Sequence, residues 1–135
     1  MIVTTLARAA FAFLFIAVTY LTLTPNPEDT EGGMAITRWI ASLLFGGEAM
    51  GDKVAHFLAY AALAGSAVLA RARFFGRLFF TVAALAAYGA ALEGLQGFTG
   101  VRTPDPTDAL ANMLGALSGY PAALLVATAL SRRAA

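Results

Sequence analysis

The sequence predicts an all-α integral membrane protein, a four-helix bundle forming a single domain over residues 1–135. Of these residues, 59% are hydrophobic and only 13% are charged, about half the charged share of an ordinary soluble domain. Four apolar stretches approach the roughly 20 residues with which a helix crosses a hydrocarbon core about 30 Å thick. Basic residues also concentrate in alternate connecting segments, as expected of a chain that crosses a membrane repeatedly.

The first predicted span covers residues 2–24, with Arg8 near one end, where its long side chain reaches the membrane surface. An apolar stretch at an N-terminus also resembles a signal peptide. Residues 18–27, however, read VTYLTLTPNP and lack the small-residue pattern of a cleavage site. We therefore expect this stretch to be retained as a span.

The long segment after the first span contains a pattern typical of a helix with one apolar face. Its members are Ile36, Trp39, Ile40, Leu43 and Leu44. Gly46 and Gly47 would end that helix. The pattern predicts a short helix over about residues 35–45 that lies flat on the outer membrane surface. A segment packed over the bundle is the alternative interpretation.

The remaining spans are predicted over residues 54–70, 78–95 and 109–130, with Pro121 expected to kink the last of them. Four spans place the N-terminus, residues 71–77 and the C-terminus on one side, and all three regions are basic. Because basic loops stay in the cytoplasm, both termini should be cytoplasmic. The net charge of +1 gives no reason to expect a nucleic-acid partner. The absence of cysteine excludes disulfides and thiolate chemistry.

Polar side chains recur near the non-cytoplasmic ends of the last three spans. They are Asp52, His56 and Tyr60 on the second span, Glu93 and Gln96 on the third, and Asp108 and Asn112 on the fourth. A charged side chain inside a span costs at least about 2.5 kcal/mol. His56 and Glu93 are therefore predicted to pair or to reach a water-filled pocket.

Small residues on the fourth span predict where helices meet. Ala111, Gly115 and Gly119 repeat at every fourth position and include a G-x-x-x-G spacing, which lets helices approach closely in lipid. The adjoining Asn112 should therefore face the bundle interior. Structural roles also fit some of the polar residues: Asp52 and Asp108 as helix caps, and Tyr60 and Asn112 as hydrogen-bonding links between helices.

Three motifs in this region resemble the VanZ-like family of small bacterial membrane proteins. They read Asp52-Lys53-x-x-His56-x-x-x-Tyr60, Glu93-x-x-Gln96, and Arg102-x-x-Asp105-x-x-Asp108-x-x-x-Asn112-x-x-Gly115. The family takes its name from a protein associated with resistance to glycopeptide antibiotics, particularly teicoplanin. The resemblance implies a role in the cell envelope, and hence location in the bacterial inner membrane.

The leading functional hypothesis is a site at the outer leaflet for a lipid-linked or phosphate-bearing cell-wall intermediate. Lys53 and Arg102 would bind an anionic head group. In an enzymatic version, His56 and Glu93 exchange a proton while Asp52 or Asp108 orients the imidazole. The remaining predicted ligand-binding residues are Tyr60, Gln96, Asp105 and Asn112.

Two alternatives belong to other classes. In one, the polar cluster is structural and the chain is a non-catalytic membrane partner or homo-oligomer, with Gly115 and Gly119 at the contact between subunits. The other is a divalent metal site built from Asp52, His56, Glu93 and Asp108. We predict no cofactor, because one histidine with scattered carboxylates is a sparse set of ligands for a metal.

Overall fold

The computed structural model describes residues 2–25, 28–100 and 103–133, and within these ranges it contains helices and no β-strand. The elements are α1 (Ile2–Leu23), α2 (Glu28–Phe45), a 3₁₀ turn (Glu48–Met50), α3 (Gly51–Leu69), α4 (Leu78–Thr99) and α5 (Pro106–Arg133). The all-α prediction is confirmed. The described chain has five α-helices: four at the predicted spans, and α2, an 18-residue helix that begins earlier than the helix expected over residues 35–45.

Three of the helices are long and apolar enough to cross a membrane. They comprise Val3–Leu23, Leu78–Thr99 and Pro106–Arg132. α3 is not among them, since its first two turns carry Asp52, Lys53 and His56. α4 and α5 extend beyond the predicted spans at the same end of the molecule, and α5 continues as helix through Pro121.

α3 lies at the centre of the fold and packs against α1, α2, α4 and α5. It supplies half of the buried core: Tyr60, Leu63, Ala64, Ala67 and Val68. The outer helices, by contrast, expose large apolar side chains such as Phe13 and Leu125. An apolar exterior around a more polar central helix suits a lipid surrounding, since lipid does not penalise exposed hydrocarbon.

α3 and α5 run parallel and make the most extensive interface. A Cβ atom added to Gly115 would overlap the carbonyl oxygen of Phe57, and one added to Gly119 would overlap that of Ala61. We call these two backbone contacts the glycine seam. The small residues of α5 therefore face α3 within the same chain.

α4 runs antiparallel to both of these helices. A Cβ on Gly89 would lie 2.9 Å from the Tyr60 ring of α3 and 2.9 Å from Asn112 Cβ of α5, so only glycine allows the three helices to converge there. α1 joins α4 through a hydrogen bond of 2.7 Å between the Thr19 and Tyr88 hydroxyls.

α2 packs on α3 through its small and polar face rather than its apolar one. Thr37 and Ala41 are buried, while Ile36, Trp39, Leu43 and Leu44 are exposed. The predicted helix therefore exists, and its apolar side chains point away from the bundle.

The two ends of the bundle differ in charge. At one end, here called the polar end, α1 and α4 finish and α3 and α5 begin. Lys53 of α3 lies 2.9 Å from Asp108 of α5 at this end. The start of α1, the 70–77 linker between α3 and α4 and the end of α5 lie at the opposite end. That end carries Arg8, Arg71, Arg73, Arg77 and Arg132.

Candidate functional site

His56, in the second turn of α3, occupies the centre of the polar end, and its side chain is 14% exposed. Its Nδ1 lies 3.0 Å from Oδ1 of Asn112 on α5. A carboxamide oxygen only accepts hydrogen bonds, so Nδ1 is the donor in this bond. The other ring nitrogen, Nε2, therefore keeps a lone pair available for a proton or another ligand.

Two buried carboxylates flank the imidazole of His56 from different helices. Glu93 Oε1 of α4 lies 3.8 Å from Nδ1, and Asp108 Oδ2 of α5 lies 3.7 Å from Nε2. Glu93 and Asp108 are only 4% and 7% exposed. These separations exceed a hydrogen bond, so the carboxylates stand beside the ring without a direct hydrogen bond to it.

Lys53, one turn before His56, gathers three further carboxylate contacts. Its Nζ lies 2.7 Å from Asp52, 2.6 Å from Asp105 and 2.9 Å from Asp108. Partial burial acts to lower the pKa of Lys53, but hydrogen bonds to Asp105, Asp52 and Asp108 outweigh it and raise that pKa above its usual value. The ammonium thus stays charged and links α3 to α5.

Asp105 begins α5. Its Oδ1 accepts hydrogen bonds from the Thr107 amide at 2.8 Å and the Thr107 hydroxyl at 2.7 Å, and Pro106 occupies the first helical position. The hydrogen bond from Lys53 is the main cause that lowers the pKa of Asp105. Asp105, rather than Asp108, therefore caps the helix, and the Asp-Pro pair was the signal for it in the sequence.

Asp52 lies in the first turn of α3 and turns towards Lys53 rather than His56. Partial burial acts to raise the pKa of its carboxyl, but the hydrogen bonds and charge of Lys53 prevail and lower it. Of the two carboxylates expected to orient the imidazole, only Asp108 lies beside His56.

Two buried donors at the site have no hydrogen-bond partner within the described part of the chain: the Tyr60 hydroxyl and Asn112 Nδ2. Both side chains are only 1% exposed. Tyr60 follows His56 by one helical turn on α3. Buried polar groups are normally paired, so these two mark a place where a ligand would supply acceptors.

The other predicted residues lie elsewhere. Gln96 is buried and donates from Nε2 to the Thr22 carbonyl oxygen, which joins α4 to α1. Arg102 lies outside the described residues. The close packing at Gly89, which brings Tyr60 and Asn112 together, was not predicted, and a small residue one turn before Glu93 was its signal.

The family model described as VanZ/LLP1 matches residues 11–127, which contain every residue of the site. The chain belongs to the VanZ/LLP1 family. The resemblance carried by the three motifs is therefore confirmed. The matched region also includes α2 and most of α1 and α5. Neither the curated proteins nor the solved structures gave a match to this chain.

Proposed function

We propose that this chain is a four-span protein of the bacterial inner membrane that binds a lipid-linked or phosphate-bearing envelope intermediate at the outer leaflet. The observation that supports it best is the group of His56, Glu93, Asp108 and Asn112 at one end of an apolar bundle. Ionisable groups buried in such a place mark functional sites by default.

α3 is the fourth span in this proposal. It packs along α5 from Lys53 to Gly65, beside a helix that is itself long and apolar enough to cross the membrane. Its polar side chains face other helices rather than lipid, because Tyr60 is buried and His56 contacts Asn112 of α5 and lies beside Glu93 of α4. A central helix needs less hydrophobicity than one exposed to lipid.

The distribution of arginine supports the orientation. Arg8, Arg71, Arg73, Arg77 and Arg132 belong to the end opposite the site, and arginine-rich segments remain in the cytoplasm. The site then opens towards the outer leaflet. The exposed apolar face of α2, with Trp39 at its middle, would lie at the same membrane surface.

The absence of native cysteine permits a direct test of that orientation. The single variants Glu48→Cys and Arg73→Cys place one thiol at each end of the bundle. Both positions are exposed, and Arg73 lies in the linker between α3 and α4. A membrane-impermeant maleimide added to intact spheroplasts should label Glu48→Cys and leave Arg73→Cys unlabelled until the cells are lysed. The reverse pattern would contradict the proposed location of the site.

In the catalytic version of the proposal, which applies where Nε2 is not bound to a metal ion, His56 accepts a proton from the bound molecule at that nitrogen. Asn112 holds the ring through Nδ1, and the nearby Glu93 and Asp108 carboxylates stabilise the imidazolium that forms. Lys53 is occupied by three carboxylates, so binding of a phosphate there would require one of them to be displaced. The association of the family name with teicoplanin resistance makes cell-wall intermediates the ligands to test first.

The test is a comparison of bound lipids. Wild type, Glu93→Gln and the matched control Glu48→Gln, whose carboxylate is exposed and outside the site, are purified in mild detergent. Their extracted lipids are then compared by mass spectrometry. We expect a phosphate-bearing isoprenoid lipid with wild type and the control, and a depleted signal with Glu93→Gln. Equal retention by all three would contradict the proposal.

A non-catalytic partner subunit is the second candidate, favoured by the number of polar contacts that join helices. Gln96 binds the backbone of α1, and Lys53 joins α3 to α5. In that case Glu93→Gln would lower the melting temperature in detergent with no selective loss of lipid. The glycine seam already contacts α3, so a partner would bind another surface.

A further inference from the structure

Three helices each bring one metal-ligating side chain to the same point. His56 of α3, Glu93 of α4 and Asp108 of α5 offer ligand atoms that all lie within 4.8 Å of one another. The separations of 3.8 Å and 3.7 Å between ring nitrogens and carboxylates are too long for hydrogen bonds. Two ligands about 2.1 Å from one tetrahedral ion lie about 3.4 Å apart. The 3.8 Å distance joins Glu93 to Nδ1 and the 3.7 Å distance joins Asp108 to Nε2, so the Glu93 side chain would turn towards Nε2 to share an ion there.

The orientation of the imidazole also suits a metal. His56 uses Nδ1 for Asn112, which leaves the Nε2 lone pair next to Asp108 Oδ2. Metal-binding histidines typically donate their second ring N–H to an oxygen in this way, which fixes the tautomer and the ring plane. Asn112 is thus placed as a supporting residue.

The partnerless donors supply a second, independent observation. Within the described residues, the Tyr60 hydroxyl and Asn112 Nδ2 are buried without an acceptor. Asn112 Nδ2 belongs to the carboxamide that contacts His56, and Tyr60 lies one turn along α3. Because buried donors are normally paired, both indicate a bound group that offers acceptor oxygens, such as a water or a phosphate oxygen on an ion.

Charge favours a cation as well. The single ammonium of Lys53 is divided among Asp52, Asp105 and Asp108. Asp108 is mostly buried, and a buried carboxylate with a fraction of one counter-charge is costly. A divalent ion beside Asp108 Oδ2 would balance it. Asp52, which the sequence included among the candidate ligands, belongs instead to Lys53.

We infer that His56, Glu93 and Asp108 form a binding site for a divalent cation of the Zn²⁺ or Mn²⁺ class. One imidazole nitrogen with two carboxylate oxygens suits ions of intermediate hardness. Three protein ligands leave a coordination position open. That the open position binds a lipid-linked phosphate rests on the proposed function, whereas the metal site itself does not.

The experiment uses the purified full-length protein after removal of metal with a chelator. Isothermal titration with Zn²⁺, and Co²⁺ titration followed by visible absorption, should both show one saturable equivalent. His56→Gln, Glu93→Gln and Asp108→Asn should each lower the affinity at least about tenfold, which even loss of a supporting residue produces at metal sites. Glu48→Gln should bind as wild type does.

The wild-type titration needs no variant, so the inference can be overturned even if a ligand variant fails to fold. Absence of saturable binding to the wild type would overturn it, and so would equal affinity in folded ligand variants. Lipid retention without ion binding would contradict the metal site and leave the proposed function standing. Ion binding without lipid would support the site and contradict the proposed ligand.

Discussion

The α3–α5 interface has two neighbouring regions of opposite character. At the glycine seam, Gly115 and Gly119 bring the helix backbones into contact. About one turn nearer the start of the helices, the same pair is linked by Lys53 and the His56–Asn112 bond. Two buried donors there have no partner among the described residues. The seam is closely packed, as in a stable interface. At the polar end, buried polar groups lower the stability, and such a loss is typical of a ligand site.

The largest expected effect would come from breaking the seam. Gly115→Ala places a methyl group against the Phe57 carbonyl, where the obstacle is backbone and cannot rotate away. We expect a loss of stability of about 3 kcal/mol, the upper part of the usual range for overpacking, measured by unfolding in detergent. Gly94→Ala, with open space around the added methyl, should be neutral or slightly stabilising. Similar losses in both variants would mean that the seam is not a tight contact.

The next largest effect concerns Lys53, which joins the two helices at the polar end. Lys53→Met leaves Asp52, Asp105 and Asp108 close together without their cation. Since the group is partly exposed and screened by solvent, we expect a loss of about 1–2 kcal/mol rather than the larger cost of a fully buried pair. Arg73→Met, in the linker at the opposite end, is the control and should leave the melting temperature unchanged.

Tyr60→Phe sharpens the comparison, because it should separate stability from function. The variant removes a buried hydroxyl that has no partner among the described residues, so stability should rise by about 1 kcal/mol while retention of bound lipid falls. Tyr88→Phe is the matched control: it removes the 2.7 Å bond to Thr19 and should lose about 1 kcal/mol. A destabilised Tyr60→Phe protein would mean that the hydroxyl is already satisfied.

The smallest effect is the response to pH. The pKa values of Asp52 and Asp105 lie below their ordinary 3.8 in the folded protein. Their contribution to stability is therefore full above about pH 4 and lost as the pH falls through the folded values. Because the pKa of Lys53 is raised, its contribution to stability is full below about pH 10.5 and is lost only at higher pH.

Melting temperatures in detergent should accordingly decline as the pH falls below about 4. Lys53→Met, which lacks the partner of both carboxylates, should show a shallower decline on the acid side. An equally steep decline in wild type and Lys53→Met would show that other groups control the acid response.

Periodicity and residue type predicted much of this arrangement. The length of each apolar stretch indicated the helices. His56 and Asn112 have polar neighbours four residues away and Glu93 has one three residues away, which indicated that each group shares one helical face. Sequence could not predict which carboxylate each cation contacts. Asp52 and Asp108 both lie in the first turn of their helices. Only the parallel packing of α3 and α5 shows that Lys53 contacts both carboxylates and that Asp108 alone lies beside His56.

The α2 helix shows a different limit. Its apolar pattern was correct in period, but period alone does not say whether an apolar face meets protein or lipid. In the structure the small residues Thr37 and Ala41 face the bundle, because small side chains allow α2 to approach α3, and Trp39 points outward. Gln96 shows the same limit, since a backbone carbonyl such as that of Thr22 carries no signal in sequence.

The parallel pairing of α3 with α5 also has a consequence for biogenesis. Two parallel helices can pack together only after the intervening helix, α4, has crossed the membrane in the opposite direction. α3 therefore leaves the ribosome before the two α5 glycines that contact its backbone are synthesised. α3 must therefore wait in the translocon or the bilayer for its main neighbour. A nascent chain that stops after α4 should be recognised by membrane quality control and degraded.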